Sequence, residues 1–154
     1  MNFSESQQIA FNSFLNKENV MLSGAGGTGK TTLIKYIYKY CNENNKKIQV
    51  CALTGCASLL LDCKATTIHS WANVGIYLNG SIENIVKKIL KKNLKEKDPL
   101  KNRINDLEVF IVDEVSMLSK KLFDVLELLF RKLKNNNKIF GGIQLIFSGD
   151  FFQL

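Results

Sequence analysis

Gly24-Ala25-Gly26-Gly27-Thr28-Gly29-Lys30-Thr31 is the stretch that decides the fold. It satisfies the pattern G-x-x-x-x-G-K-[ST] at every fixed position. The apolar run Val20-Met21-Leu22 precedes it, and Thr32-Leu33-Ile34-Lys35-Tyr36-Ile37 reads as the start of a helix, so strand, loop and helix come in the order a phosphate-binding loop requires. The glycines let the backbone curl until successive N–H groups converge on a phosphate, and the helix N-terminus adds its positive dipole end. Residues Gly24, Ala25, Gly26, Gly27, Thr28, Gly29, Lys30, Thr31 and Thr32 are therefore expected to cradle a nucleoside triphosphate, ATP. Lys30 would reach its β- and γ-phosphates, and the Thr31 hydroxyl would ligate Mg²⁺.

The rest of the composition sets limits. A chain of 154 residues suits one domain, 1–154, large enough for a real core. With 45% hydrophobic and 23% charged residues it describes a soluble globular protein. No apolar run approaches the roughly 18 residues of a membrane span, so no membrane partner is expected. The N-terminal Met1-Asn2-Phe3-Ser4-Glu5-Ser6 lacks the basic and then apolar profile of a signal peptide, which points to an intracellular protein of nucleus or cytoplasm. Cys41, Cys51, Cys56 and Cys63 fall at spacings that match no common zinc pattern, even with His69 added, because the close C-x-x-C pair is missing. They read as reduced thiols acting as small apolar side chains.

The net charge of +7 is unevenly spread. Lys87, Lys88, Lys91, Lys92, Lys95, Lys97, Lys101 and Arg103 oppose only Glu96 and Asp98 between residues 87 and 103, a local balance of +6. Such a run is either a solvated face or the footprint of a polyanion. Ile82, Ile85, Val86, Ile89, Leu90 and Leu94 recur at helical spacing between those lysines, which predicts an amphipathic helix over 81–95.

Elsewhere the chain alternates apolar runs with turns. Ser4 and Gln7 stand as S-x-x-Q at the start of a helix ending near Leu15, a capping box; Gln7 also lies where a side-chain amide could read an adenine edge, and one residue could do both. Ile48 to Leu53 predicts a buried strand ending at Thr54-Gly55, with a helix over Cys56–Leu61 behind it. Ligands in open α/β sheets bind beyond the carboxyl ends of strands, so Thr54 falls on the functional edge. Thr66-Thr67-Ile68-His69-Ser70-Trp71 is dense in hydroxyls around one aromatic, and reads either as a phosphodiester clamp with a base stacked on Trp71 or as a capped core segment. Val109-Phe110-Ile111-Val112 predicts a buried parallel strand that delivers Asp113 and Glu114 to the same edge as the phosphate loop. Asp113 would hold the Mg²⁺ and Glu114 would deprotonate an attacking water. A helix over Ser116–Lys134 and a strand over Ile143–Phe147 complete the alternation, with Gln153 just past that last strand.

Assembled, these segments resemble the first motor domain of a superfamily-one DNA helicase of the PIF-type, RecD-like branch that moves 5′ to 3′. The matching stretches are Phe3 to Gln7, Gly24 to Thr31, Leu53 to Ala57, Thr66 to Ser70, Ile111 to Met117, and Gly141 to Leu154 with its Gly149-Asp150-Phe151-Phe152-Gln153-Leu154. The resemblance implies a RecA-like P-loop NTPase fold, an α/β three-layer sandwich with a mainly parallel sheet. It implies adenine recognition by Gln7 and catalytic roles for Lys30, Glu114 and Gln153, the last as a γ-phosphate sensor. It also implies single-stranded DNA as a partner, held by Thr54, Gly55, Thr67 and His69.

Three positions depart from the family pattern: Ser58 follows Ala57 in place of a second Ala, Cys63 stands where Gly is usual, and Asn73 stands where Gly follows Trp71-Ala72. All three fall on the DNA side of the pattern, not the nucleotide side. The sequence stops at Leu154, before the second motor domain whose arginines stabilise the transferring phosphoryl group in the family. A second motor domain or partner chain is thus expected to supply them, and this chain alone is expected to bind ATP with Mg²⁺ yet turn it over slowly. The competing expectation is a non-catalytic nucleotide- or DNA-binding module, which the joint presence of Lys30, Asp113, Glu114 and Gln153 argues against. A small-molecule kinase is disfavoured by the Asp-Glu pair.

Overall fold

The computed structural model describes residues 2–75, 78–93 and 100–152. Lys95, Lys97 and Gln153 lie outside the described residues. Five strands, β1 (Val20–Ser23), β2 (Ile48–Ala52), β3 (Thr66–Thr67), β4 (Val109–Asp113) and β5 (Gln144–Gly149), form one sheet in the order β1-β5-β4-β2-β3, with every pairing parallel. The expected mainly parallel α/β sandwich of the RecA-like kind is what the chain adopts.

The period of two along the strands makes the three layers. Val109 and Ile111 face one side of the sheet and Phe110 and Val112 the other, and all four are buried. On the first side, α1 (Glu5–Leu15), α2 (Lys30–Glu43) and α3 (Gly55–Leu61) supply Phe14, Leu33, Ile34, Ile37 and Leu61. On the second, α4 (Ile68–Trp71), α5 (Ile82–Asn93), α6 (Leu100–Asn105) and α7 (Lys120–Lys134) close over Phe110 with Trp71, Ile104, Leu129 and Phe130. β1 is an edge strand: Leu22 is buried toward α2, whereas Met21 points to the other face and is 55% exposed.

The helix starts follow local chemistry. Ser4 caps α1 through a complete capping box, its hydroxyl accepting from the Gln7 N–H while Gln7 Oε1 accepts from the Ser4 N–H. Thr54, Thr67 and Ser119 cap α3, α4 and α7 by the side-chain bond alone, through hydroxyls that accept a backbone N–H three residues on.

One helix start differs from expectation. The helix expected from Ser116 starts at Lys120, because Val115–Met117 forms a separate 3₁₀ turn and Ser119 recaps the chain behind it. α2 runs on to Glu43 because Cys41 is fully buried in its last turn, and Asn44 and Asn45 end it.

Trp71 is core. It is 6% exposed, stacked on Phe110 with centroids 5.2 Å apart, and covered by the Arg103 guanidinium at 5.9 Å. The base-stacking reading of this residue is therefore corrected, and Arg103 turns from the basic run toward the ring. The lysines of α5 form an exposed face, with Lys87, Lys88, Lys91 and Lys92 exposed and Ile85, Val86 and Ile89 buried against α7. No helix among the described residues is long and apolar enough to cross a membrane.

Candidate functional site

Register brings the motifs to one rim. Ala52 pairs with Asp113 and with Thr67, Val112 with Phe147, and Ser23 with Gly149, so β1 through β5 all end on the same edge of the sheet. A cavity of about 380 Å³ opens there, lined by Lys30 and Thr31 from the start of α2, Asp113 and Glu114 from the end of β4, and Gly149 and Asp150 from the end of β5. Residues from three separate segments thus face one space of ligand size. A larger hollow of about 780 Å³ lies at the opposite rim, lined by Lys17, Lys46, Lys134 and Lys138 with Glu108, and none of the residues expected to bind nucleotide, Mg²⁺ or DNA lines it.

The phosphate loop is folded on itself. Lys30 Nζ donates to the Gly24 and Ala25 carbonyls, the latter at 2.8 Å, and lies 3.5 Å from Thr28 Oγ1, which in turn donates to the Ala25 carbonyl at 2.9 Å. Its ammonium is surrounded by neutral loop oxygens and makes no ion pair among the described residues. Gly29 is favoured by its backbone, and a side chain there would also displace the Gln7 amide. Its φ of +84° is left-handed, and a Cβ there would come 2.4 Å from Gln7 Nε2. That close approach is functional in form, since Gln7 Nε2 donates to the Gly29 carbonyl at 3.2 Å and so ties α1 to the loop.

Asp113 is half-buried and lines the same cavity as Thr31. A donor set of hydroxyl and carboxylate oxygens, with room for water and phosphate oxygens, fits Mg²⁺ and does not fit a soft metal. Among the described residues no group of three His, Cys, Asp or Glu side chains could hold a metal by itself. Burial pushes the Cys41 thiol up to about 11 and Cys51 up to about 12, and Cys63 is raised for the same reason, so these three pack as neutral apolar groups.

Glu114 is held at both ends. Its backbone is left-handed, φ 58° and ψ 35°, a conformation that costs a non-glycine residue about 1 kcal/mol or more and persists only where the surroundings impose it. Its Oε2 accepts the Thr54 hydroxyl at 2.9 Å. Thr54 stands at the strand-end rim just beyond β2, with the exposed Gly55 beside it. Its one proton, however, goes to Glu114, so a phosphate oxygen at this position meets a hydroxyl already committed.

Thr67 caps α4, accepting from the Ser70 N–H at 3.3 Å and keeping its own proton free to donate, and His69 is half-buried in the same turn. Thr32 is exposed on α2 and does not line the cavity. Ser116, Met117 and Asp150 do line it, and sequence reasoning assigned them no part. Their signal in the sequence was membership of the matching stretches Ile111 to Met117 and Gly141 to Leu154, just beyond strand ends.

The model of the PIF1-like helicase family matches residues 2–154 of this chain. This chain belongs to the PIF1-like helicase family. It is 40% identical over 141 residues to the ATP-dependent DNA helicase PIF1 of Emericella nidulans, an alignment covering 89% of this chain and 18% of that protein. The crystal structure of the Pif1 helicase from Candida albicans superposes with a TM-score of 0.85 at 33% identity, covering 100% of this chain and 34% of that one. The Bacteroides Pif1 helicase in complex with ADP-AlF3 and ssDNA gives 0.79 at 28% identity, covering 100% and 33%. The chain therefore spans about a fifth of the curated PIF1-like relative and a third of the solved ones.

Proposed function

We propose that residues 1–154 form the nucleotide-binding motor domain of a PIF-type, 5′-to-3′ DNA helicase that hydrolyses ATP and grips single-stranded DNA along the strand-end rim. The observation that carries this is the shared cavity of Lys30, Thr31, Asp113 and Glu114, residues from two segments far apart in the sequence.

The roles follow from the chemistry of the side chains. The loop Gly24, Ala25, Gly26, Gly27, Thr28 and Gly29 with Thr32 at the head of α2 presents N–H groups to the phosphates. Lys30 leaves the loop carbonyls for the stronger acceptors on the β- and γ-phosphates. Thr31 and Asp113 would hold Mg²⁺, which when bound neutralises charge developing on the phosphate oxygens. Glu114 takes the proton of a water in line with the γ-phosphate. Gln7, which has one amide hydrogen and one lone pair to spare beyond its two observed bonds, reads the adenine edge. By its motif, Gln153 senses the γ-phosphate. Thr67 and His69, with the backbone at Thr54 and Gly55, contact the DNA.

The test is binding of a fluorescent ATP analogue with Mg²⁺, followed by phosphate release with and without single-stranded DNA, in the wild type, K30A and E114Q. The reading expects K30A to lose binding and E114Q to bind while losing hydrolysis. A wild type that binds no nucleotide would refute it, one that binds without hydrolysing, with or without DNA, would leave only a binding module, and an E114Q that hydrolyses like the wild type would remove Glu114 from the reaction.

A further inference from the structure

We propose that Thr54 is a positioning residue for Glu114, setting the carboxylate that activates water; the inference rests on the hydrolytic reading above. The Thr54 hydroxyl is oriented on both of its sides. Its oxygen accepts the Ala57 N–H at 3.2 Å as the cap of α3, which leaves its single proton directed at Glu114 Oε2, 2.9 Å away. Threonine suits this, because its β-branch restricts χ1.

The sheet brings the two together. Ala52 of β2 and Asp113 of β4 are paired in register, so the residues just beyond each strand end face one another across 60 positions of sequence. Tying Oε2 leaves Oε1 as the free acceptor for a water proton. The donor is neutral, so it orients the carboxylate without the quenching that a Lys or Arg partner would bring, and Glu114 makes no ion pair among the described residues. Glu114 lines the cavity and Thr54 does not, so Thr54 acts on the reaction through Glu114 alone.

The test uses single-turnover hydrolysis, with the 154-residue chain in excess over radiolabelled ATP and Mg²⁺, in T54V, T54S, T54D, E114Q and T54V/E114Q. Losing a hydrogen bond to a charged group predicts hydrolysis slower by about 10- to 100-fold in T54V. Affinity for the fluorescent ATP analogue stays within about twofold of the wild type, a split that general loss of structure would not produce. T54S recovers most of the lost rate. T54D keeps an acceptor for the α3 cap but sets a second carboxylate against Glu114 in place of a neutral donor, and stays as slow as T54V, so keeping the cap does not by itself restore the rate. In the E114Q background T54V adds no further loss, since the two act as one unit.

A T54V that hydrolyses as fast as or faster than the wild type overturns the inference, as does one that slows E114Q by the same factor or loses affinity in step with rate. Should T54V not fold, T54S against T54D decides on the same criteria. A wild type without any single-turnover hydrolysis refutes the hydrolytic reading itself, whereas wild-type hydrolysis abolished by E114Q but untouched by T54V refutes the positioning role alone.

Discussion

Gln7 Nε2 donates to the Gly29 carbonyl at 3.2 Å, joining the first turn of α1 to the last glycine of the phosphate loop across 22 residues. The same side chain closes the capping box of α1 through its Oε1. One amide therefore fixes a helix start and the loop that faces the phosphates, which is why the capping and nucleotide readings of Gln7 need not compete.

That arrangement makes Q7A informative. Loss of the tether loosens the loop itself, so affinity for inorganic tripolyphosphate is expected to fall roughly fivefold, the equivalent of one net hydrogen bond of about 1 kcal/mol. ATP affinity falls further if the amide also reads the base. Titration calorimetry with both ligands measures the two parts separately, and equal losses would restrict Gln7 to the tether.

Nucleotide should stabilise the fold and Mg²⁺ should be needed for the full effect. A ligand that binds only the folded state adds about 2.7 kcal/mol at a hundredfold excess over its Kd. Thermal melts with ATP and Mg²⁺ are expected to show a clear rise in Tm for the wild type, a smaller one with EDTA or in D113N, and none in K30A. An unchanged shift after EDTA would remove Asp113 and Thr31 from metal binding.

The chain has a single tryptophan, and its burial turns a sequence ambiguity into a measurement. Single-stranded DNA is expected to leave Trp71 emission unmoved, while urea shifts it to the red as the Phe110 and Phe130 contacts open. W71A should cost about 3–5 kcal/mol, the usual loss for a large buried aromatic. A DNA-dependent change in emission would contradict the core assignment.

How much of this was readable beforehand depended on range. The phosphate loop and β4 were legible because each signal is contiguous: eight residues with fixed glycines, and four apolar residues ahead of two acids. The helix after β4 was legible in its middle, where Leu122, Leu126 and Leu129 repeat, but not at its start, because a lone Ser119 cap without an acid three residues on looks like any other serine. α6 was missed because six residues with only Leu100 and Ile104 inward carry too little periodicity. The Thr54–Glu114 bond was illegible in principle. It depends on β2 and β4 becoming neighbours in one register, which no local pattern encodes.

The thiols give a pH prediction with a definite sign. Cys41 and Cys51 titrate near 11 and 12 in the folded chain against 9.0 for a free thiol, because burial disfavours the thiolate. A folded pKa above the unfolded one contributes stability that is intact below pH 9 and is lost as pH climbs through 11 to 12. Urea midpoints should therefore fall from about pH 9 upward. At pH 8, Ellman's reagent is expected to label the exposed Cys56 rapidly and Cys41, Cys51 and Cys63 only on unfolding.

Ser148 offers the cleanest stability test near the site. It sits in β5 beside Leu22, is fully buried, and its hydroxyl has no hydrogen-bond partner among the described residues. A hydroxyl removed from water without compensation costs about 1–3 kcal/mol, and an apolar group of similar size carries no such cost. S148A deletes the hydroxyl and leaves the strand pairing intact, so its urea midpoint is expected to equal or exceed that of the wild type by up to about 1 kcal/mol. Because Ser148 directly precedes Gly149, which lines the cavity, the same variant should be assayed for nucleotide affinity. Unchanged binding with raised stability would mean the hydroxyl is idle in the nucleotide-free fold. Lost binding would mean that it finds its partner only when the cavity is filled.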